Sequence, residues 1–499
     1  MQYGLLLFLV ILSHHSLFAQ NTKKILLIGM DGCRSDALQI ANTPNLDQVI
    51  QEGFSCLEAR TIPPTMSGPG WASMLTGVWY NKHQVHGNVF IGNQLDQYTH
   101  FFNRIEAHKP DLQTFSIAHW APINDKIIRK VDYKNSPKSD VAVAQEGIQI
   151  LSKQNPDALF LHFDDIDHAG HFSGFNPKNP KYIKEIEKVD SLIGLVLKTV
   201  QSRPTYATED WLILFSPDHG GIKLSHGGST EVERSTFIIA QHKNSQPHQV
   251  AAQTIKIDAK QLVKFTKAQH QCTIPAFKET QSSKDWTLKL QFKIDEWQSD
   301  AFLVQHPQLS IKTHAADQKT WWLYMDNKKI KIQGDQINDQ AWHSITISCS
   351  QGKLVHVYQN GRIVGLQQSK QALIPITEQA LVLNYHKTQK VKSLKWQLYN
   401  CSIVPKNYTP TKRQQWLGTV ENNSIAPLFD WNDKLLKKKA ICKAPKINQT
   451  QTLQFKDYSH YPQMVDIAPT LLQHLGIPIS IEQKEKHFDG SPIRLNKTQ

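Results

Sequence analysis

The chain has 499 residues, with 56 Lys and Arg against 43 Asp and Glu, a formal net charge of +13. That length exceeds one simple core and sets an expectation of two or three domains. With 40% hydrophobic and 20% charged residues, the composition excludes disorder, collagen and coiled coil. The basic surplus favours anionic substrates or surfaces. Lys and Arg are scattered, with one dense run at Lys437, Lys438 and Lys439, so no nucleic-acid-binding module is expected.

The first 20 residues carry no Asp, Glu, Lys or Arg, and Leu5 to Leu12 are unbroken apolar. The pattern predicts a secretory signal over residues 1–19, cut near Ala19, and a secreted or periplasmic product. A membrane span needs about 20 apolar residues, and no later segment reaches that, so the mature chain is expected to have no transmembrane segment. Six cysteines then sit in a disulfide-permitting compartment. Their spacing excludes CxxC metal clusters, and Cys33 and Cys56 are the candidate pair in the first domain.

Ile25 to Met30 is a continuous apolar run closed by Asp31 and predicts a buried parallel strand. Ala158 to Phe163, followed by Asp164, Asp165 and Asp167, reads the same way, as does Trp211 to Phe215, followed by Asp218 and His219. Phe115 to Trp120 and Thr236 to Ala240 are further strands. Helical patterns lie between them, from Asn45 to Glu52 and from Tyr182 to Val200, where Ile183, Ile186, Val189, Ile193 and Val196 share one face. Alternating strand and helix predicts an α/β fold, a mostly parallel sheet between helical layers. Ligands gather beyond the carboxyl ends of such strands, where Asp31, Asp167 and Asp218 all fall.

From about residue 270 to 405 the texture becomes strand-only. Trp286 to Ile294, Trp321 to Met325, Trp342 to Ser348, Leu354 to Tyr358, Leu381 to Tyr385 and Leu394 to Tyr399 are short runs separated by polar turns. Asn360-Gly361 is a type I′ hairpin signal. An all-β jelly-roll sandwich over 270–405 is expected, inserted into a catalytic domain made of 23–250 and 410–499, because Met464 to Gly476 returns to helix. Exposed aromatics on the sandwich could dock sugars, but Trp286, Trp321, Trp322 and Trp342 suit a core equally well.

Asp and His supply the oxygen and nitrogen donors that borderline divalent metals accept. Asp167 and His171, four apart, can face one ion. Ser67 lies in a Pro- and Gly-rich turn just before a helix from Trp71, where an alkoxide or phosphate is favoured by the dipole. Its alternative use is as a helix N-cap.

In this order, Asp31-Gly32-Cys33-Arg34-Ser35-Asp36, Thr43-Pro44-Asn45, Ser67 with Thr76-Gly77, His83 with Asn88, Asp167 with His171, and Ser216-Pro217-Asp218-His219-Gly220 resemble the alkaline phosphatase superfamily, closest to its nucleotide pyrophosphatase/phosphodiesterase branch. The resemblance covers about residues 23–240 and 460–495. It implies one Zn²⁺ held by Asp31, Ser67, Asp218 and His219, and a second held by Asp167, His171 and His226; other divalent metals also suit these donors. His226 follows His219 by only seven positions, and His162 and His168 are nearby alternatives read as structural. Ser67 is the implied nucleophile, with Thr65 as fallback. Asn88, 21 residues on, is the implied contact to a non-bridging oxygen.

The implied activity is phosphodiester hydrolysis on a small anionic phosphoester. A sulfatase or phosphomonoesterase of the same superfamily is one alternative, although Trp71 stands where the sulfatase signature places Arg. The sandwich resembles laminin-G/concanavalin A-like domains, many of which bind glycans, so a glycan-binding protein with a vestigial site is the other.

Overall fold

The computed structural model describes residues 21–259 without a break. Between 262 and 496 it describes all but 268, 275–283, 315–319, 327, 329, 374–379, 385–393, 405–428, 431–440, 444–445, 448–449 and 480–487. The expected signal segment and the Lys437–Lys439 run lie outside the described residues.

The first sheet has eight strands: β1 (Thr22–Met30), β2 (Phe54–Arg60), β3 (Thr114–Ala118), β4 (Tyr133–Asn135), β5 (Ala158–Phe163), β6 (Glu209–Ser216), β7 (Ser235–Gln241) and β8 (His248–Gln249). Their order is β4-β3-β5-β1-β6-β7-β2-β8. The block from β4 to β6 is parallel throughout, and β7 runs antiparallel to both of its neighbours. Both faces are covered, which is why β1 and β5 read as unbroken apolar runs. On one face Leu26, Ile28 and Leu161 pack with Val189, Ile193 and Val196 of the helix Pro180–Gln201. On the other, Ile25, Leu27 and Phe160 pack with Trp71 and Met74 of the helix Ser67–Thr76 and with Ile467 and Leu471 of the helix Ile467–His474.

The expected disulfide between Cys33 and Cys56 does not form. Each is a buried free thiol, and they belong to the cores on opposite faces of the sheet. Burial pushes the Cys56 thiol up to about 12. Cys272 is disulfide-bonded and lies opposite Cys442 in an antiparallel ladder.

Two further sheets, of 10 and 7 strands, are built from segments between Gln253 and Asp457 and enclose a second core around Leu290, Trp321, Ile347 and Trp396. Asn360 and Gly361, with φ of 50° and 81°, make the expected tight turn between the strands Leu354–Gln359 and Arg362–Gln368. Trp286 and Trp321 are buried in this core, and Trp322 and Trp342 are half-buried. The 10-stranded sheet also takes in Gln253–Ala259, Leu262–Phe265 and Gln451–Asp457, outside the 270–405 span. Gln253–Ala259 pairs with Gln451–Asp457, and local alternation cannot reveal a partner so distant in sequence. Elements of the first core thus precede and follow the all-β part, giving an α/β fold with an inserted β domain. No helix among the described residues is long and apolar enough to cross a membrane.

Candidate metal centre and active site

β5, β1 and β6 lie side by side and parallel, so their carboxyl ends open on one edge. Asp31 follows β1 directly, Asp218 lies just beyond β6, and Asp167 sits in the helix Asp165–Ser173 that leaves β5, with His171 one turn on. Gly32 has φ +63°, and a Cβ there would stand 2.4 Å from Asp167 Oδ1, so only glycine lets the β1 turn pass this carboxylate.

Of the seven protein ligands implied by the resemblance, the six Asp and His residues converge. His219 Nε2 is 3.2 Å from Asp218 Oδ2 and 3.6 Å from Asp31 Oδ1. Asp167 Oδ2 is 3.2 Å from His171 Nε2, and its Oδ1 is 3.7 Å from His226 Nε2. The His219 and His226 rings stack at 3.9 Å, which ties the two halves together.

Each histidine is held by its other nitrogen. Nδ1–H donates to the carbonyl of Leu224 from His171 (2.9 Å), of Gly220 from His219 (2.9 Å) and of Thr65 from His226 (2.8 Å). A carbonyl only accepts, so each Nδ1 carries a proton, and in the neutral form each imidazole turns an Nε2 lone pair toward the carboxylates, the arrangement that orients metal-binding histidines. His171 Nε2 and His226 Nε2 stand 3.0 Å apart. Two lone pairs at that distance require a proton or a cation between them.

Asp31 is gripped from the far side. Trp71 Nε1 donates to Oδ2 at 2.7 Å, and His162 Nε2 approaches the same oxygen at 3.1 Å while its Nδ1 accepts from Trp120 N. Oδ1 is left facing His219. Trp71 reaches this position across β1 because position 29 is glycine; a Cβ there would lie 2.4 Å from the indole.

The three buried carboxylates crowd one another. Burial, then the charges of Asp31 and Asp167, push Asp218 well above the usual carboxylate range, and burial also raises Asp167. Burial would raise Asp31 too, but the His162 hydrogen bond and the His219 charge hold it below that range. Hydrogen bonding to Asp167 pushes His171 up to about 9, against desolvation; burial and the neighbouring His219 push His226 down to about 4. Asp31 Oδ1, Asp167 Oδ1, Asp218 Oδ2 and His219 Nε2 are buried without a hydrogen-bond partner among the described residues. Crowded carboxylates, orphaned atoms and oriented Nε2 lone pairs together fit a cation.

Ser67 is the first residue of the helix Ser67–Thr76, and Met66 occupies the cap position without a side-chain bond. The alternative use of Ser67 as an N-cap is therefore not realised. Gly70, one turn on, lies against Asp218, and Asn88 Oδ1 accepts from Gly68 N at 2.8 Å, which brings Asn88 beside the start of the helix. Thr65 is a strut: its hydroxyl donates to Gly228 O (2.9 Å) and accepts from Gly227 N (3.0 Å).

His168 is exposed and pairs with Asp164 and Asp165 in a neighbouring cluster with His119 and Asp140. Sequence reasoning missed the roles of Trp71 and His162 around Asp31, because no local pattern marks an indole or imidazole as a partner for a residue 40 or 131 positions away.

Among solved structures, a 2-O GAG sulfatase is similar with a TM-score of 0.40 at 10% identity, over 62% of this chain and 84% of that one. A protein in complex with its substrate D-glucosamine-2-N,6-O-disulfate gives 0.37 at 12% identity, over 46% and 73%. The ectonucleotide pyrophosphatase/phosphodiesterase family member 7 of Rattus norvegicus is 38% identical over 74 residues, and that of Mus musculus 35% over 71. Each match spans 14% of this chain and 16% of the relative. The family model for type I phosphodiesterase/nucleotide pyrophosphatase matches residues 25–130 and 119–272, the stretch that carries every residue of the converging site. Residues 25–272 thus match the type I phosphodiesterase/nucleotide pyrophosphatase family over the whole stretch that builds the site.

Proposed function

We propose that the chain is an exported, metal-dependent phosphoric ester hydrolase that cleaves small anionic phosphodiesters, with Ser67 as nucleophile. The observation that carries this reading is the convergence of three oriented imidazoles and three crowded carboxylates at an edge where Gly70, of the helix that opens on Ser67, lies against Asp218. Asp31, Ser67, Asp218 and His219 would hold one zinc ion, and Asp167, His171 and His226 the other. When bound, such cations lower the pKa of a hydroxyl and of water and offset charge on phosphoryl oxygens.

Ser67 Oγ, deprotonated, attacks phosphorus in line; the bond from phosphorus to the leaving alcohol breaks, and the phosphoryl group rests on Ser67. Water then displaces it, which regenerates the serine and releases a phosphomonoester. The Asn88 carboxamide, fixed through its oxygen by Gly68 N, keeps two N–H donors for a non-bridging oxygen. The helix N-terminus adds its positive end.

A panel of aryl phosphate diesters, monoesters and sulfates, assayed with zinc, tests the substrate class. Diesters should be cleaved fastest, with about two zinc per chain by metal analysis. Full turnover of bis-p-nitrophenyl phosphate by Ser67→Ala would sink the covalent mechanism, and a preference for sulfates would sink the substrate class.

A further inference from the structure

The loop that carries His226 is built into the seam between the two halves of the molecule. From His226 to Arg234 it makes almost no regular structure, only the short turn Glu231–Arg234. Its shape is set by side chains. Thr65 binds Gly227 and Gly228, and Glu233 accepts from Gly228 N at 2.7 Å and from Thr230 N at 3.0 Å.

The inserted β domain closes this loop from outside. Ser229 Oγ donates to Gln333 Oε1 at 3.1 Å. Arg234, fully buried, donates through Nε to Ser229 O at 3.0 Å, and its Nη2 makes a very short ion pair with Asp335. Asp335 Oδ2 also lies 4.0 Å from Arg60, whose Nη2 pairs with Glu231 at 2.8 Å. Arg60 ends β2 and opens the segment that runs through Thr65 to Ser67. One buried carboxylate of the β domain therefore faces the roots of both arms, the one bearing His226 and the one bearing Ser67.

Asp335 is itself rigidly placed. Its backbone N–H donates to Gln359 Oε1 at 2.9 Å, the oxygen that also accepts from Trp321 Nε1 at 2.6 Å. Gly334 before it leaves no room for a side chain, since a Cβ would lie 1.9 Å from the Trp321 indole.

We infer that Asp335 is a positioning residue for the metal site: through Arg234 and Ser229 it fixes the 226–234 loop and so holds His226 Nε2 opposite Asp167 and His171. The inserted domain then completes the second metal position rather than only recruiting substrate. This rests on the reading of His226 as a metal ligand. A carboxylate that acts through a buried arginine is indispensable to that arginine, because its loss strands a desolvated charge at the root of the loop.

The test is stepwise zinc binding to the metal-free full-length protein by calorimetry, with cobalt(II) absorption as a second readout. Asp335→Asn should weaken the second equivalent about 10- to 100-fold and leave the first unchanged, with an altered cobalt spectrum at the second equivalent only. Equal weakening of both equivalents, or of neither, overturns the inference. His226→Ala separates the two layers: if it retains the second equivalent, the ligand reading fails. If it loses that equivalent while Asp335→Asn keeps it, the inference about Asp335 fails alone. Should Asp335→Asn not fold, Gln333→Leu, which removes the bond to Ser229 and a second one within the β domain to Thr320 Oγ1, carries the test. A loss of about threefold or more on the second equivalent is expected, and wild-type affinity overturns the inference.

Discussion

The indole N–H of Trp71 donates to Asp31 Oδ2 at 2.7 Å from the helix that begins at Ser67. One helix thus supplies both the proposed nucleophile and the donor that turns Asp31 Oδ1 toward His219. Trp71→Phe keeps most of the ring and deletes this bond. It should cost about 1.5–3 kcal/mol of stability, since the acceptor is charged and buried, and lower zinc affinity about 10- to 100-fold. Calorimetric zinc titration alongside a denaturant melt checks both; wild-type affinity would remove Trp71 from the site.

The crowded carboxylates give a prediction of opposite sign for stability and function. With burial and two like charges pushing Asp218 upward, Asp218→Asn should stabilise the metal-free protein by an amount on the order of 1 kcal/mol. The same variant should lose the share of stabilisation that the first zinc confers on the wild type, about 4 kcal/mol at a thousandfold excess over Kd, and keep the share of the second. Thermal melts with chelator and then with zinc read both effects. A zinc-dependent rise in Tm as large as the wild type's in Asp218→Asn would contradict the proposed ligand set.

Thr65 and Ser67 are two residues apart, and both carry hydroxyls, but Thr65 is bonded on both sides to the His226 loop. Thr65→Val should destabilise by about 1–3 kcal/mol and still trap phosphate on Ser67, as seen by mass spectrometry of the quenched enzyme. Label on residue 65 of the wild type would reverse the assignment.

His83 gives a pH dependence away from the metal centre. It is fully buried, accepts from Val85 N at Nδ1 and pairs with Ser73 Oγ through Nε2. Burial, then the neighbouring His86, push its pKa down to about 3. The unfolded chain takes the proton near 6.5 and the folded one only near 3, so this contribution is constant above 6.5 and stability falls as pH drops from there toward 3. The slope approaches about 1.4 kcal/mol per pH unit. His83→Gln should flatten the stability profile between pH 4 and 6, as measured by urea melts; parallel profiles would refute it.

The residue types of the site and the strands that carry it were legible locally. Ala158–Phe163 appears with its expected bounds, and β1 and β6 extend theirs by a few residues, because strands covered on both faces must be apolar throughout. The Asn360-Gly361 turn was equally local, since two positive φ angles in succession select those residues. The Cys33–Cys56 expectation failed because proximity in sequence says nothing about which face of a sheet a thiol occupies.

What the sequence by itself determined was the set of parts: buried parallel strands ending in acid, a serine opening a helix, histidines at ligand spacing and a strand-only insertion. The tertiary structure alone decided that β5, β1 and β6 are neighbours, that Trp71 and His162 share one oxygen of Asp31, and that Arg234 finds Asp335 across 101 residues. Periodicity encodes how much of each segment is buried. Which buried charge meets which is settled only when desolvated groups must find partners in the packed chain.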